Sequence, residues 1–222
     1  MKKPLLAALA IVGATLPLAR AAEPRIFYSK SFPGSTPAYV EIIVEKSGDV
    51  TYRESPDDDQ PIKFRLSEAD TAEVFGLAEK LDRFGRTLES GLKVAKTGVK
   101  TFRWEEGAVR NEQKFNYSTD LQAQALLDWF ERITETEQHF INLERAVRFD
   151  RLGVNKALLL MEASWDRRRL VAVDQFLPML ERVIKNESFL NMARERAAYL
   201  ADAFRGKAAP TAQSTPGQGQ QE

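Results

Sequence analysis

Apolar and polar positions alternate from Ala38 to Lys46, with Val40, Ile42 and Val44 on one side and Tyr39, Glu41, Ile43 and Glu45 on the other. A period of two is what a half-buried strand requires. Ser47-Gly48-Asp49 supplies a turn that tolerates positive φ at Gly48, and Val50, Tyr52 and Glu54 then alternate against Thr51 and Arg53, which predicts a hairpin. A loop rich in Pro and Asp, Ser55 to Pro61, leads to a third strand marked by Ile62, Phe64 and Leu66. Upstream, Arg25 to Phe32, ended by Pro33-Gly34, adds a fourth. Ser67 with Asp70 is a weak capping box, and Val74, Leu77, Ala78 and Leu81 recur at helical spacing. That helix is expected to stop near Phe84-Gly85, where Gly suits a left-handed cap. A second hairpin follows. Lys100, Phe102 and Trp104 alternate with Val99, Thr101 and Arg103, and after Glu106-Gly107 the set Val109 to Tyr117 alternates with Arg110, Glu112, Lys114 and Asn116. The charged sets predict an antiparallel sheet with one wet face and one face covered by helix.

From Thr119 the period changes. Thr119 with Gln122 predicts a second capping box, and Leu126, Trp129, Phe130 and Ile133 run at helical spacing into Phe140, Leu143 and Val147. No Gly or Pro falls between Leu121 and Leu152, so the pattern allows one helix of about 45 Å, with polar Thr134 to Gln138 as the place for a break. Further helices are predicted over Val154 to Trp165, over Leu170 to Lys185 with an internal Pro178, and over Phe189 to Phe204. The fold class is therefore α+β: a small antiparallel sheet covered by helices on one face, followed by a helical C-terminal region. The chain divides into a signal peptide (1–21), an α+β domain (22–136), a helical region (137–206) and a disordered tail (207–222). The tail holds no large apolar side chain with which to bury surface.

The signal peptide rests on Met1-Lys2-Lys3, the apolar run Leu5 to Leu18 and the small-x-small site Ala19-Arg20-Ala21. That apolar run is too short and too broken by Pro and Gly to span a bilayer. The expectation is a bacterial protein in the periplasm or secreted, with no transmembrane segment in the mature chain. Cleavage after Ala21 removes Lys2, Lys3 and Arg20 but no acid, which turns a balance of 32 basic and 32 acidic residues into an excess of three acids. Such a balance argues against nucleic acid as a partner, because displacing counterions from phosphates needs a dominant excess of Lys and Arg. The absence of Cys excludes disulfides, thiolate zinc sites, iron–sulfur clusters and Cys nucleophiles, and the single His139 excludes multi-His metal sites within one chain. No cofactor is expected.

Residues 25–135 resemble small exported bacterial domains of unknown function built as hairpin, helix, hairpin, helix. The resemblance is carried by Tyr39, Ile43, Gly48, Val50 and Tyr52, by Leu81-Asp82-Arg83-Phe84 and by Lys100-Thr101-Phe102, and it implies no catalytic residue. Residues 153–205 look like a pair or trio of helices from an α-solenoid of the HEAT type, without self-similarity at a period of about 40 residues.

Several motifs offer chemistry. Ser90-Gly91-Leu92-Lys93 matches S-x-x-K and Lys96-Thr97-Gly98 matches K-T-G, two elements of serine β-lactamases and penicillin-binding proteins. Only Val94 and Ala95 separate them here, whereas those enzymes place a domain between the two, so the match is read as accidental. Asp57-Asp58-Asp59 lacks the ligand spacing of a calcium loop and reads as a solvated turn. His139 reads as a surface or helix-packing residue, with duty as a general base the sharper alternative. The connection from Gly85 to Gly98 remains. It is long for a loop and sits in a basic stretch, where Arg83, Arg86, Lys93, Lys96, Lys100 and Arg103 face only Asp82 and Glu89. Lys93, Lys96, Lys100 and Arg103 are the candidate contacts to an anionic ligand or an envelope protein. Lys100 and Arg103 are expected on opposite faces of their strand. The plainer alternative has Leu88, Leu92 and Val94 tucking the loop against the sheet. The function expected is a non-catalytic periplasmic binding or protein-interaction module. The alternative is a small hydrolase working without metal through carboxylate, Ser, Lys or Tyr groups.

Overall fold

Both predicted hairpins join one sheet through a central strand that precedes them. The strands are β1 (Arg25–Ser31), β2 (Tyr39–Glu45), β3 (Asp49–Arg53), β4 (Ile62–Arg65), β5 (Val99–Glu106) and β6 (Val109–Phe115), in the spatial order β4-β3-β2-β1-β5-β6. Every pairing is antiparallel. Helix α1 (Glu68–Lys80) is inserted between β4 and β5, and α2 (Leu121–Phe149), α3 (Val154–Asp166), α4 (Leu177–Lys185) and α5 (Asn191–Phe204) follow the sheet. This architecture is that of a computed structural model that describes residues 23–206, so the expected signal peptide and tail lie outside the described residues.

Alternation decides what each face buries. Ile26, Tyr28, Val40, Ile42, Val44, Val50, Tyr52, Phe102 and Trp104 turn inward and pack with α1 and the first half of α2. Tyr28 stacks on Phe130 with ring centroids 4.5 Å apart and planes 8° from parallel. The other face carries the charged rows: Arg103 lies 3.7 Å over the Phe27 ring and pairs with Glu105 and Glu112, while Arg53 pairs with Glu41. A second core, from Leu143 to Phe204, is built by the end of α2 with α3, α4 and α5.

Helix α2 runs unbroken through both cores. The polar stretch does not break it, because Thr136 and Glu137 are buried where the cores meet and find partners there. The Thr136 hydroxyl accepts the Val171 amide at 3.1 Å, and the Gln175 side-chain amide donates to Glu137 at 2.9 Å. The cap of α2 is Asp120 and not Thr119. Its carboxylate accepts the amides of Gln122 and Ala123 and also pairs with Arg86 at 2.6 Å, placing a full negative charge at the positive end of the helix.

Two other expectations are corrected. Helix α1 ends at Lys80, and the chain turns through Asp82, Arg83 and Phe84 at positive φ of 55°, 49° and 61°, whereas Gly85 has φ of −75°. Left-handed backbone is costly for residues with a Cβ. Here burial of Phe84 and hydrogen bonds from Asn111 and Gln113 to the carbonyls of Arg83 and Phe84 offset that cost. Gly85 lies close against Asp82 instead: a Cβ there would sit 3.0 Å from the Asp82 carbonyl oxygen and 2.7 Å from its carboxylate. The segment expected as one helix from Leu170 begins as irregular chain, with Ala172 at φ of 47°, and a 3₁₀ turn (Val173–Phe176), and α4 starts only at Leu177. Pro178 thus falls in the first helical turn, where its missing N–H costs nothing.

Candidate functional site

Lys30 and Lys100 are direct cross-strand partners on β1 and β5, at the end of the sheet from which the 86–98 loop departs. Both project on the helix-covered face, where they line a cleft of about 250 Å³ bounded by Tyr117 and, on α2, by Leu127 and Glu131. A second cleft, of about 300 Å³, continues past Lys30 and Glu131 to the Ser35–Pro37 loop, Gln138 and His139. Two like charges side by side on a buried face need neutralising or hydrogen-bonding groups. Lys100 finds three neutral oxygens: the Asn116 carbonyl at 2.7 Å, the Thr97 hydroxyl at 3.0 Å and the Gly98 carbonyl at 3.5 Å. Burial, reinforced by the Lys30 charge, holds the Lys100 ammonium below the usual lysine range, against the pull of Glu131 and Glu89. Among the described residues neither Lys30 nor Lys100 has a carboxylate within ion-pair distance.

Asn116 fastens the loop beside this cleft. Its side chain accepts the Thr97 amide and donates to the Ala95 carbonyl, while its own amide donates to Glu89 at 2.6 Å. That bond is the main reason the Glu89 carboxyl lies below its ordinary range. Leu88 is buried in the core and anchors the entry. Beyond it the loop stands out: Leu92 is 56 % exposed and Val94 42 %, with Val99 and Tyr117 also exposed nearby. Of the three side chains that could have tucked the loop down, only Leu88 does. Lys93 and Lys96 stand exposed between the apolar groups, and neither has an ion-pair partner among the described residues. Arg103 faces away, in the charged rows of the open sheet face. The structure therefore brings Lys93, Lys96 and Lys100 to one end of the sheet and leaves Arg103 outside.

Gly98 closes the loop. It has φ of +100°, and a Cβ there would sit 2.7 Å from the Phe32 Cβ and 2.9 Å from the Ser31 carbonyl oxygen. Gly98→Ala is expected to destabilise by about 2–3 kcal/mol, measured by urea unfolding, through positive φ and that contact together.

His139, at the far end of the second cleft, meets the buried Ser164, and no sequence pattern points to this pair because the two belong to different helices. His139 Nε2 is 2.9 Å from Ser164 Oγ, and Ser164 donates its proton to Glu135 at 2.7 Å. A hydroxyl has one proton, so Nε2 must itself donate to Oγ and presents no lone pair to remove a proton. Arg167 is a further donor to Oγ, and Arg169 ties Glu135 to Asp128. Burial, with Arg167 adding to it and Glu135 opposing, keeps the imidazole below its usual range. Ser164 is only 2 % exposed. The arrangement holds α2 against α3 and is not that of an activated nucleophile. Ser90, of the S-x-x-K match, opens no helix; it accepts the Leu92 amide within the loop. Among the described residues no group of three or more His, Cys, Asp or Glu is arranged to hold a metal ion, and no helix is long and apolar enough to cross a membrane. No protein-family model matches the chain, and no curated protein matches it.

Proposed function

We propose that this protein is a non-catalytic binding module of the bacterial envelope, exported by residues 1–21, that takes an anionic partner at the end of the sheet where the 86–98 loop meets α2. The observation that carries the reading is the pair Lys30 and Lys100, adjacent across two strands, lining a cleft and lacking any carboxylate partner among the described residues. Lys93 and Lys96 extend that positive field onto the loop, and Leu92 and Val94 beside them offer apolar area to a partner. Against a hydrolase stands the one serine–histidine pair, whose hydrogen bonds run in the wrong direction for base catalysis.

A photo-crosslinking residue in place of Leu92, introduced in the native host, tests this. A discrete adduct is expected, and it should fade when Lys93 and Lys96 are both changed to Glu. Exposed substitutions of this kind usually alter stability by no more than about 0.5 kcal/mol, so loss of the adduct reports recognition. Washing at high salt before irradiation should also weaken it, because exposed charges are screened over about 8 Å at physiological ionic strength. An adduct indifferent to both changes, or none at all, would sink the proposal.

A further inference from the structure

The two clefts beside Lys30 do not end at His139. The second shares His139 and Asn142 with a third, of about 340 Å³, that lies between α2 and α3. Shared lining places the three end to end as a grooved track along a single face of α2, marked by Gln124, Leu127, Glu131, Gln138, Asn142 and Ala146 at helical spacing. From Ala123 to Asp150 it runs about 40 Å. Small residues, Ala146, Gly153 and Ala157, keep its last third open, and half-exposed Leu160 forms part of the wall there. Arg145 and Lys156 line that third, and neither has an ion-pair partner among the described residues. Among the described residues the groove thus carries cations without ion-pair partners toward both ends, with the Glu131 carboxylate beside Lys30 and Lys100, about 12 Å from the sheet end. Glu135 is ion-paired with Arg169, whereas Asp150 is hydrogen-bonded to the neutral Gly153 amide and leaves one net positive charge beside Arg145 and Lys156.

Building on the function proposed above, we infer that the partner enters as an extended peptide segment of another protein, laid along α2, with acidic residues toward both ends and a neutral or basic residue opposite Glu131. Length and charge carry this. A single small anion would fill one end and leave the other unexplained. A flat bilayer does not follow a concave groove along a helix, and the acids within the groove weigh against a polyphosphate backbone. One extended strand of about 12 residues spans 40 Å at roughly 3.3 Å per residue.

The test is selection of a displayed library of random 12-residue peptides on the full chain, followed by fluorescence anisotropy of the most enriched peptide. The selected sequences are expected to be acidic toward both ends. Two variants at opposite ends, Lys30→Glu and the pair Arg145→Glu with Lys156→Glu, should each weaken binding about ten-fold or more. Glu131→Gln should tighten binding of acidic peptides, a gain that misfolding cannot imitate. Each six-residue half should bind far more weakly than the whole, because joining the halves makes the second contact intramolecular. If the change at Arg145 and Lys156 has no effect while Lys30→Glu abolishes binding, the ligand is confined to the sheet end; this inference then fails and the function proposed above stands. If neither change matters, both fall. Enrichment of no peptide or of basic peptides, full displacement by inorganic phosphate, or binding to anionic phospholipid vesicles in place of peptide would each overturn the extended-peptide reading.

Discussion

Replacing Glu137 by Gln is expected to make the protein more stable at pH 9 and close to neutral in effect at pH 5. Glu137 is fully buried in the middle of α2, and its one hydrogen bond is from the Gln175 side chain on the turn before α4. Its second carboxyl oxygen finds no hydrogen-bond partner among the described residues. The other titratable group facing it is Tyr52 from β3, whose phenol burial pushes far above its ordinary range and which is therefore neutral. Desolvation pushes the Glu137 carboxyl up to about 8, with the Gln175 hydrogen bond opposing. The unfolded chain gives up this proton near pH 4.5, and the folded chain keeps it until about pH 8. Between those values the folded state holds more protons, so stability falls as pH rises and the contribution is lost once the folded group ionises. At about 1.4 kcal/mol per pH unit the loss approaches roughly 5 kcal/mol by pH 9. The amide of the Glu137→Gln variant cannot ionise and is free of that slope. Urea unfolding of both forms at pH 5, 7 and 9 measures the difference, in which the other titrating groups cancel. Parallel curves would mean that Glu137 is ionised and solvated in the folded protein.

The second large effect is expected from Phe130→Ala, at about 3–5 kcal/mol by urea unfolding. Phe130 is fully buried, stacks on Tyr28 and meets Phe102 at 5.7 Å. It is a main contact by which α2 is seated on the sheet, so the floor of the groove depends on it. The next residue, Glu131, is exposed, and Glu131→Gln should cost less than about 0.5 kcal/mol. Neighbours in sequence thus divide between core and site by one step around the helix. Equal effects at the two positions would show that α2 lies on the sheet differently.

The same helix shows what the sequence makes legible. Leu126, Phe130 and Ile133 repeat at helical spacing, and that period alone places them in the core. The face that forms the groove reads as an ordinary polar stripe, because Gln124, Glu131, Gln138 and Asn142 are what any solvated helix face carries. Only the strands and α3 beside it turn the stripe into a cleft. Lys100 is visible as a basic residue near a long loop, yet its inward direction follows from the alternation of β5 and its cross-strand neighbour Lys30 from a register no local pattern encodes. Ser164 and His139 lie 25 residues apart on two helices, a distance that periodicity does not bridge. The turn at Asp82 to Phe84 is hidden because non-glycine residues adopt a conformation that the sequence assigns to Gly85.

Amide hydrogen exchange, read with and without the crosslinked partner, tests most directly where this protein binds. Slowed exchange is expected in residues 86–98, at the Asn116–Ser118 turn and along the first half of α2, with the strands around Arg103 unchanged on their charged face. Protection confined to the strands that carry Arg103 and Arg53, with the loop exchanging as before, would contradict the account and move the binding surface to the open side of the sheet.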